Sequence, residues 1–556
     1  MTRHFSEPEA LADWLEMSLG KDLDIALPLG IGKATHIVNA LCERAFGDAE
    51  FSLNIKTALT LERPRPSSEL EARLLEPYVE RHFADYVELS YARALREGTL
   101  PANVCVTEFF LNSGEWLGVP EIQQNYVSVN YSAAARDVLL SGRVNLLAQL
   151  VAVDESGPEP RYSLSSNPDV TLDILPELER RRAAGEAFLF VGQVNRDLPF
   201  MPGECEIDIG RFDALLDAPH VEFPVFAAPR RPVSTADYVA ALHVASLVKD
   251  GGTLQIGIGA LGDAVAYALI LRHRYNALFR LLIGELTPDA RETEPFEKGL
   301  YAASEMFVDG FLELYEAGIL KRRSQRGPVL HAAFFVGSRQ FYDRLKAMDE
   351  ERRADFGMTA VSFTNALYGD EGEKRADRVA ARFVNTVIKA DVLGAVQSDT
   401  LGDGRVISGV GGQHDFVEQA LALRDANSII SLQATRTRAG TTTSNIEWQL
   451  DRATIPRHMR DVIVTEYGVA HLKGRSDGDC IARLLAITDA RFAPGLFEKA
   501  VSTGKIARDQ SVEWQRNTPE RLEAVLKDAR AHGFFPRFPF GTDFTAEEQS
   551  SLAALA

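Results

Sequence analysis

One plan occurs twice in the chain. Residues 24–45, DIALPLGIGKATHIVNALCERA, give a short apolar run, a Gly-x-Gly turn and then a helical pattern. Residues 253–271, TLQIGIGALGDAVAYALIL, repeat it. A buried strand that turns through glycines into a helix is the opening of a βαβ unit, and such units build parallel sheets covered on both faces. The segment between the copies, FPVFAAPRRPVSTADYV (223–239), holds Pro224, Pro229 and Pro232, and reads as a linker with a helix beginning after Ser234 or Thr235. The expectation is an α/β protein of two similar open, mainly parallel-sheet domains, 1–228 and 229–515, with a C-terminal extension over 516–556.

Short runs such as AFLFVGQVN (187–195) and DVIVTEYGV (461–469) read as buried strands. Residues 135–151 and 413–424 read as helices, and the charged segments 286–299 and 369–378 as surface insertions. AASEMFVDGFLELYEAGIL (302–320) has Phe307, Phe311, Leu314 and Tyr315 at helical spacing, with Gly318 at the stop. Its residues alone predict a helix capped by Ser304, with Glu305 complementing the positive end of the dipole.

Composition narrows the partners. The 556 residues carry a formal charge of −19, which disfavours a nucleic-acid partner because phosphate neutralisation needs a basic surface. The four cysteines form no CxxC pair, and the histidines show no HExxH spacing, so no metal is expected. The first twenty residues carry acids and no continuous apolar stretch, and no run is long enough to span a membrane. A cytoplasmic protein without a membrane partner is the expectation.

Several motifs can carry chemistry. GIGALG (257–262) matches G-x-G-x-x-G after a strand, and Glu285 follows where a Rossmann fold places its ribose-binding acid, so an NAD-dependent oxidoreductase is one reading. The same glycines suit any phosphate or oxyanion, or a plain turn. GIGKA (30–34) is not a P-loop, since Leu27 and Ala34 occupy required Gly and Ser/Thr positions. SGVGGQHDFVEQA (408–420) sets Gly409, Gly411 and Gly412 between a strand-like GRVIS and a helix starting near Gln413; adjacent glycines expose consecutive amides, as an oxyanion hole requires. His414 and Asp415, neighbours that point apart on a helix, are read as structural. TRTRAGTTT (435–443) offers Arg436 and Arg438 in a loop, to a phosphate or to solvent. Glu466 stands at a strand end, where it lines a cleft or caps the next element.

Taken in order, GQVNRDLPFMPGECEI (192–207), VKDGGTLQIGIGALGDAV (248–265), SEMFVDGFLELYEAGIL (304–320), VNTVIKADVLGAVQSDT (384–400), SGVGGQHDF (408–416) and VTEYGVAHLKGRS (464–476) resemble the acetyl-CoA hydrolase/transferase family within the class I CoA-transferases. The resemblance implies two α/β domains with the active site between them. It implies that Glu305 is a covalent nucleophile passing CoA through a glutamyl thioester, that Asn365 in SFTNALYG orients it, and that Gly257, Ile258, Gly259, Ala260 and Leu261 contribute to CoA binding. Ser408, Gly411, Gly412 and Gln413 would add CoA contacts and an oxyanion-hole amide. Family members often carry a Lys that meets CoA just before the strand here written SIISL; Asn427 takes that position. Coenzyme A would be substrate and product with no permanently bound cofactor, and the partners an acyl-CoA and a small carboxylate of the acetate or succinate class, in an enzyme that is a transferase or a hydrolase; its oligomeric state is left open, a homodimer included. The competing readings are the oxidoreductase above and a non-catalytic acyl-CoA-binding relative.

Overall fold

A computed structural model describes residues 2–66, 68–227, 229–438 and 440–555. Ala228, the last residue of the first expected domain, lies outside them, as do Ala439 of the 435–443 segment and the two terminal residues, Met1 and Ala556.

Two large, mainly parallel sheets organise the chain. The first runs in the order Arg3–Phe5, Ala214–Leu216, Leu189–Val194, Leu146–Asp154, Asp22–Ala26, Ser52–Thr57, Val104–Glu108, with every neighbour parallel. The second runs Phe356–Met358, Leu330–Phe334, Tyr301–Met306, Thr253–Ile256, Arg382–Thr386, Asn427–Ser431, Val462–Thr465, with Gly468–His471 added antiparallel at the edge. Both copies of the repeated plan are strand, turn and helix: Asp22–Ala26 leads to Thr35–Gly47, and Thr253–Ile256 to Ala260–Arg274. The linker ends where Ser234 caps the helix Thr235–Ala245, in a reciprocal arrangement with Asp237.

Loops of the first sheet's half of the chain bond to loops of the second's. The Phe335 amide donates to the Ser166 carbonyl (3.0 Å), Val361 to Asp169 (3.0 Å), Leu111 to Ser408 (3.1 Å) and Tyr131 to Gly411 (3.0 Å). One apolar core runs continuously from Ala26 of the first sheet to Phe544 near the C-terminus.

Several expectations are corrected here. Residues 146–154 are a strand, and only 135–139 of the supposed 135–151 helix are helical. A strand covered on both faces reads as an unbroken apolar run, which periodicity cannot separate from a buried helix. Tyr301–Met306 is likewise a strand, and the helix begins at Asp309. Ser304 caps nothing: its hydroxyl donates to the Ile256 carbonyl on the adjacent strand (3.3 Å). GRVIS is not a strand but loop. TRTRAGTTT belongs to an antiparallel hairpin, Thr435–Arg438 with Thr441–Ser444. The 369–378 segment is anchored rather than superficial, because Lys374, Asp377 and Arg378 are buried; Arg378 donates to the Gln419 side chain and the Phe363 carbonyl.

Candidate active site

Glu305 is the penultimate residue of the strand Tyr301–Met306, so the pleat buries Ser304 and Met306 and turns Glu305 toward the junction of the two sheets. Its half-buried carboxylate has neighbours from two separate parts of the chain. The Asn365 Nδ2, at the end of the short helix Val361–Asn365, donates to Oε2 at 2.8 Å. Asn365 is itself held: Thr364 Oγ1 donates to its Oδ1 (2.9 Å) and Gln419 Nε2 to its carbonyl (2.5 Å). Gly412, preceding the helix Gln413–Ala422, presses on both groups, and a methyl here would overlap Glu305 Oε2 and Asn365 Nδ2. Gly411 carries a φ of +55°, a left-handed turn that glycine makes cheaply. Asp415, one turn into that helix, accepts from the Ser132 hydroxyl (2.6 Å) and amide (3.0 Å), and stands 3.4 Å from Asn365 Nδ2.

Electrostatics follow from this packing. Burial pushes the Glu305 carboxyl up to about 7; the Asn365 hydrogen bond and the Gly412 main chain oppose the rise, while the nearby Asp415 and Asp169 carboxylates add to it. Burial raises Asp415 as well, and lifts Asp169 to about 7 although Tyr131 donates to it. Such a carboxyl changes charge near neutrality, and the Asn365 amide fixes its orientation.

The remaining expected residues divide. Gly257, Ile258 and Gly259 are exposed at the C-terminal end of Thr253–Ile256, the strand next to that of Glu305, and Ala260 and Leu261 open the following helix. Gly262 packs so closely on the Gly257 carbonyl that a side chain there would collide with it. Ser408 and Gln413 flank the glycine turn but are otherwise engaged. The Ser408 carbonyl accepts from Leu111, and the Gln413 side chain links Ser398 (2.6 Å) to the Thr386 carbonyl (3.1 Å). Glu285 is exposed on the helix Asn276–Leu286, away from any strand end, so it is not placed as a Rossmann ribose acid. Glu466 is a cap, accepting from the Ala434 amide (2.9 Å). Asn427 starts its strand, at the sheet edge opposite Glu305, and donates to Asp461 (3.2 Å).

The first half contributes neighbours that the sequence reading did not find. Phe110 lies under the glycine turn, against Gly409 and Gly411. Tyr131 and Asp169 approach from the same side. Lys33 of GIGKA is buried, its Nζ donating to the Ala58 carbonyl (2.6 Å) in the company of Glu108 and Asp169, and burial lowers it to about 8. None of these carries a local signature. Asp415, read from the sequence as structural, lies three residues beyond Gly412, where it holds Ser132 and stands beside Asn365. Among the described residues, no His, Cys, Asp or Glu group could hold a metal ion and no helix is long and apolar enough to cross a membrane.

Comparison with known proteins gives this geometry a context. Residues 337–500 match the family model of the acetyl-CoA hydrolase/transferase C-terminal domain; the match takes in Asn365 and the 408–413 turn, and begins after Glu305. Among curated proteins, the 4-hydroxybutyrate coenzyme A transferase of Clostridium kluyveri is 28% identical over 324 residues, covering 57% of this chain and 66% of that protein. The succinyl-CoA:acetate/propanoyl-CoA:succinate CoA transferase of Fasciola hepatica is 27% identical over 345 residues, 61% of this chain and 62% of its own length. The matched segments thus span slightly under two thirds of these relatives. In fold, RipA from Yersinia pestis superposes with a TM-score of 0.62 at 21% identity, covering 91% of this chain and 98% of its own.

Proposed function

We propose that the protein is an acyl-CoA:carboxylate CoA-transferase, or its hydrolytic counterpart, that carries CoA on Glu305. What supports this most is the Glu305 carboxylate at a sheet edge, fixed by the Asn365 amide and abutted by Gly412. Glu305 attacks the thioester carbonyl of an acyl-CoA, and the C–S bond breaks to give an acyl-glutamyl anhydride and CoA thiolate. The thiolate attacks the glutamyl carbonyl, releasing the first acid and leaving CoA as a thioester on Glu305. A second carboxylate reverses both steps and departs as the new acyl-CoA; water instead would return free CoA. A carboxylate is a weak nucleophile, so the reaction depends on orientation by Asn365 and on an amide of Gly411 or Gly412 facing the developing oxyanion. The site lies between domains 1–228 and 229–515 in this reading, and 516–556 is an extension. The relatives' names suggest a short-chain acid of the acetate, succinate or butyrate kind as acceptor.

Mass spectrometry of the protein mixed with acetyl-CoA tests this. A CoA-sized gain on the peptide containing Glu305, absent in Glu305→Ala, is the expected result. Thioester consumption with Glu305 unmodified and the Ala variant still active would overturn it.

A further inference from the structure

Three successive residues of the first half grip the turn that carries Gly412. The Asn130 side chain meets Nδ1 of His414 (3.0 Å), and the Tyr131 main-chain amide donates to the Gly411 carbonyl (3.0 Å). Ser132 donates to Asp415 twice, from its amide to Oδ2 (3.0 Å) and from its hydroxyl to Oδ1 (2.6 Å). With one donor on each oxygen, the buried Asp415 carboxylate cannot rotate without losing a charge-assisted hydrogen bond. The gripping residues open the helix Tyr131–Ala134, which runs straight on as a π-helical turn over Ala135–Leu139, an irregularity frequent at functional sites.

Asp415 hands this grip on. Its Oδ2 lies 3.4 Å from Asn365 Nδ2, the nitrogen that donates to Glu305 Oε2 at 2.8 Å. That nitrogen carries two hydrogens, one for each carboxylate, while the amide oxygen accepts from Thr364 Oγ1 (2.9 Å). A flipped amide would set its oxygen against both carboxylates, so the orientation that serves Glu305 is the one Asp415 favours. Glu305 is faced by Asn365, by Gly412 and Asp415, and by Tyr131 and Asp169 of the first half, with Asp173 near both of the latter. Burial is the main reason its carboxyl holds a proton, and of the acids that add to this Asp415 outweighs Asp169. His414, next to Asp415 in the chain, draws Asp415 the other way.

We infer that Asp415 is a positioning residue of the Glu305 site: it carries the grip of Ser132 across to the Asn365 amide and sets a second negative charge beside the Glu305 carboxylate. Its part in catalysis rests on the function proposed above; the charge it places there does not.

Two readouts on the whole protein test this. The first is thermal and needs no substrate. The melting-temperature gap between Glu305→Gln and the parent follows the ionisation of Glu305, widening with pH and levelling near 7. In the Asp415→Asn background the same pair should level at a lower pH, because a like charge has gone. The second is kinetic. In Asp415→Asn, turnover at pH 8 should fall about tenfold with KM for acyl-CoA unchanged, as Asn365 loses an anchor. The rate at pH 6 relative to pH 8 should rise about two- to threefold. Ser132→Ala should lower turnover about threefold, and the double variant should do no worse than Asp415→Asn alone, since the two residues act in series. A levelling point and a rate ratio untouched by Asp415→Asn would overturn the inference whatever happened to the rate, because a general loss of structure lowers both rates alike. Additive losses in the double variant would overturn the link to Ser132. If Asp415→Asn does not fold, Ser132→Ala takes its place in the thermal series. Without the hydroxyl Asp415 takes a proton more readily, so the levelling point should again move down, and no movement overturns the inference. A parent protein that turns over no acyl-CoA overturns the transferase reading and leaves the thermal series to decide for Asp415.

Discussion

In the proposed reaction the carboxyl of Glu305 attacks only when ionised, yet its surroundings hold the proton up to about pH 7. For the proposed reaction, kcat/KM for acyl-CoA is therefore expected to climb about tenfold per pH unit below 7 and to level above it. A pH–rate profile checks this, and a plateau already reached at pH 5 would contradict it. Stability carries the opposite sign. The folded-state pKa lies above the ordinary 4.5, so the folded protein is most favoured with Glu305 protonated and loses that advantage as pH rises from about 4.5 through 7. Glu305→Gln has no charge to bury, so its melting temperature should gain on the parent's across that interval, by about 3 °C at pH 8. A difference independent of pH would show that the carboxyl is not desolvated. Gly412→Ala drives a methyl into both Glu305 and Asn365, and turnover should fall at least about a hundredfold, the loss expected when catalytic groups are misplaced by about 1 Å. Steady-state rates beside an unchanged circular dichroism spectrum would establish this.

At the scale of elements, the GIGALG turn joins a strand to a helix through main-chain packing rather than through its side chains. Gly262 rests on the Gly257 carbonyl, where no flexible group can yield, so Gly262→Ala should cost about 2 kcal/mol, measurable by denaturant titration. This turn, the capped helix after Ser234 and the helix at Gln413 were all readable, because each announces itself by local chemistry: glycines that must bend, or a hydroxyl that must cap. Strands 146–154 and 301–306 were not. Both are interior strands of parallel sheets, whose residues face other elements on two sides and so lack alternation. The error at 301–306 mattered most. As a helix N-terminus Glu305 would be ornamental, whereas on a strand end it stands at the edge where ligands of α/β proteins collect. The candidate residues named from family resemblance, Glu305 and Asn365, do meet, while the supporting Tyr131 and Asp169 come together only through the tertiary fold and left no pattern in the chain.

The whole molecule depends on its last forty residues more than a label of extension suggests. The helix Pro519–Ala531 packs on Thr235–Ala245, Phe535 is buried with its ring edge-on to Tyr238, and Arg81 of the first half meets Glu548 (2.7 Å). A chain ending at residue 515 should unfold at lower temperature and aggregate, because the apolar faces of Tyr238 and Tyr267 would be laid open; scanning calorimetry with light scattering reads both. Phe110 has a wider consequence. It is a residue of the first half, yet it is the floor on which Gly409 and Gly411 of the second half turn, and that turn delivers Gly412 to Glu305. The groups proposed for chemistry all sit on one side of the linker, while the scaffolding that shapes them is borrowed from the other. A gene fragment beginning after the linker would thus encode every named reactive group and still make an idle protein, and supplying the missing half as a separate polypeptide should bring it back to life.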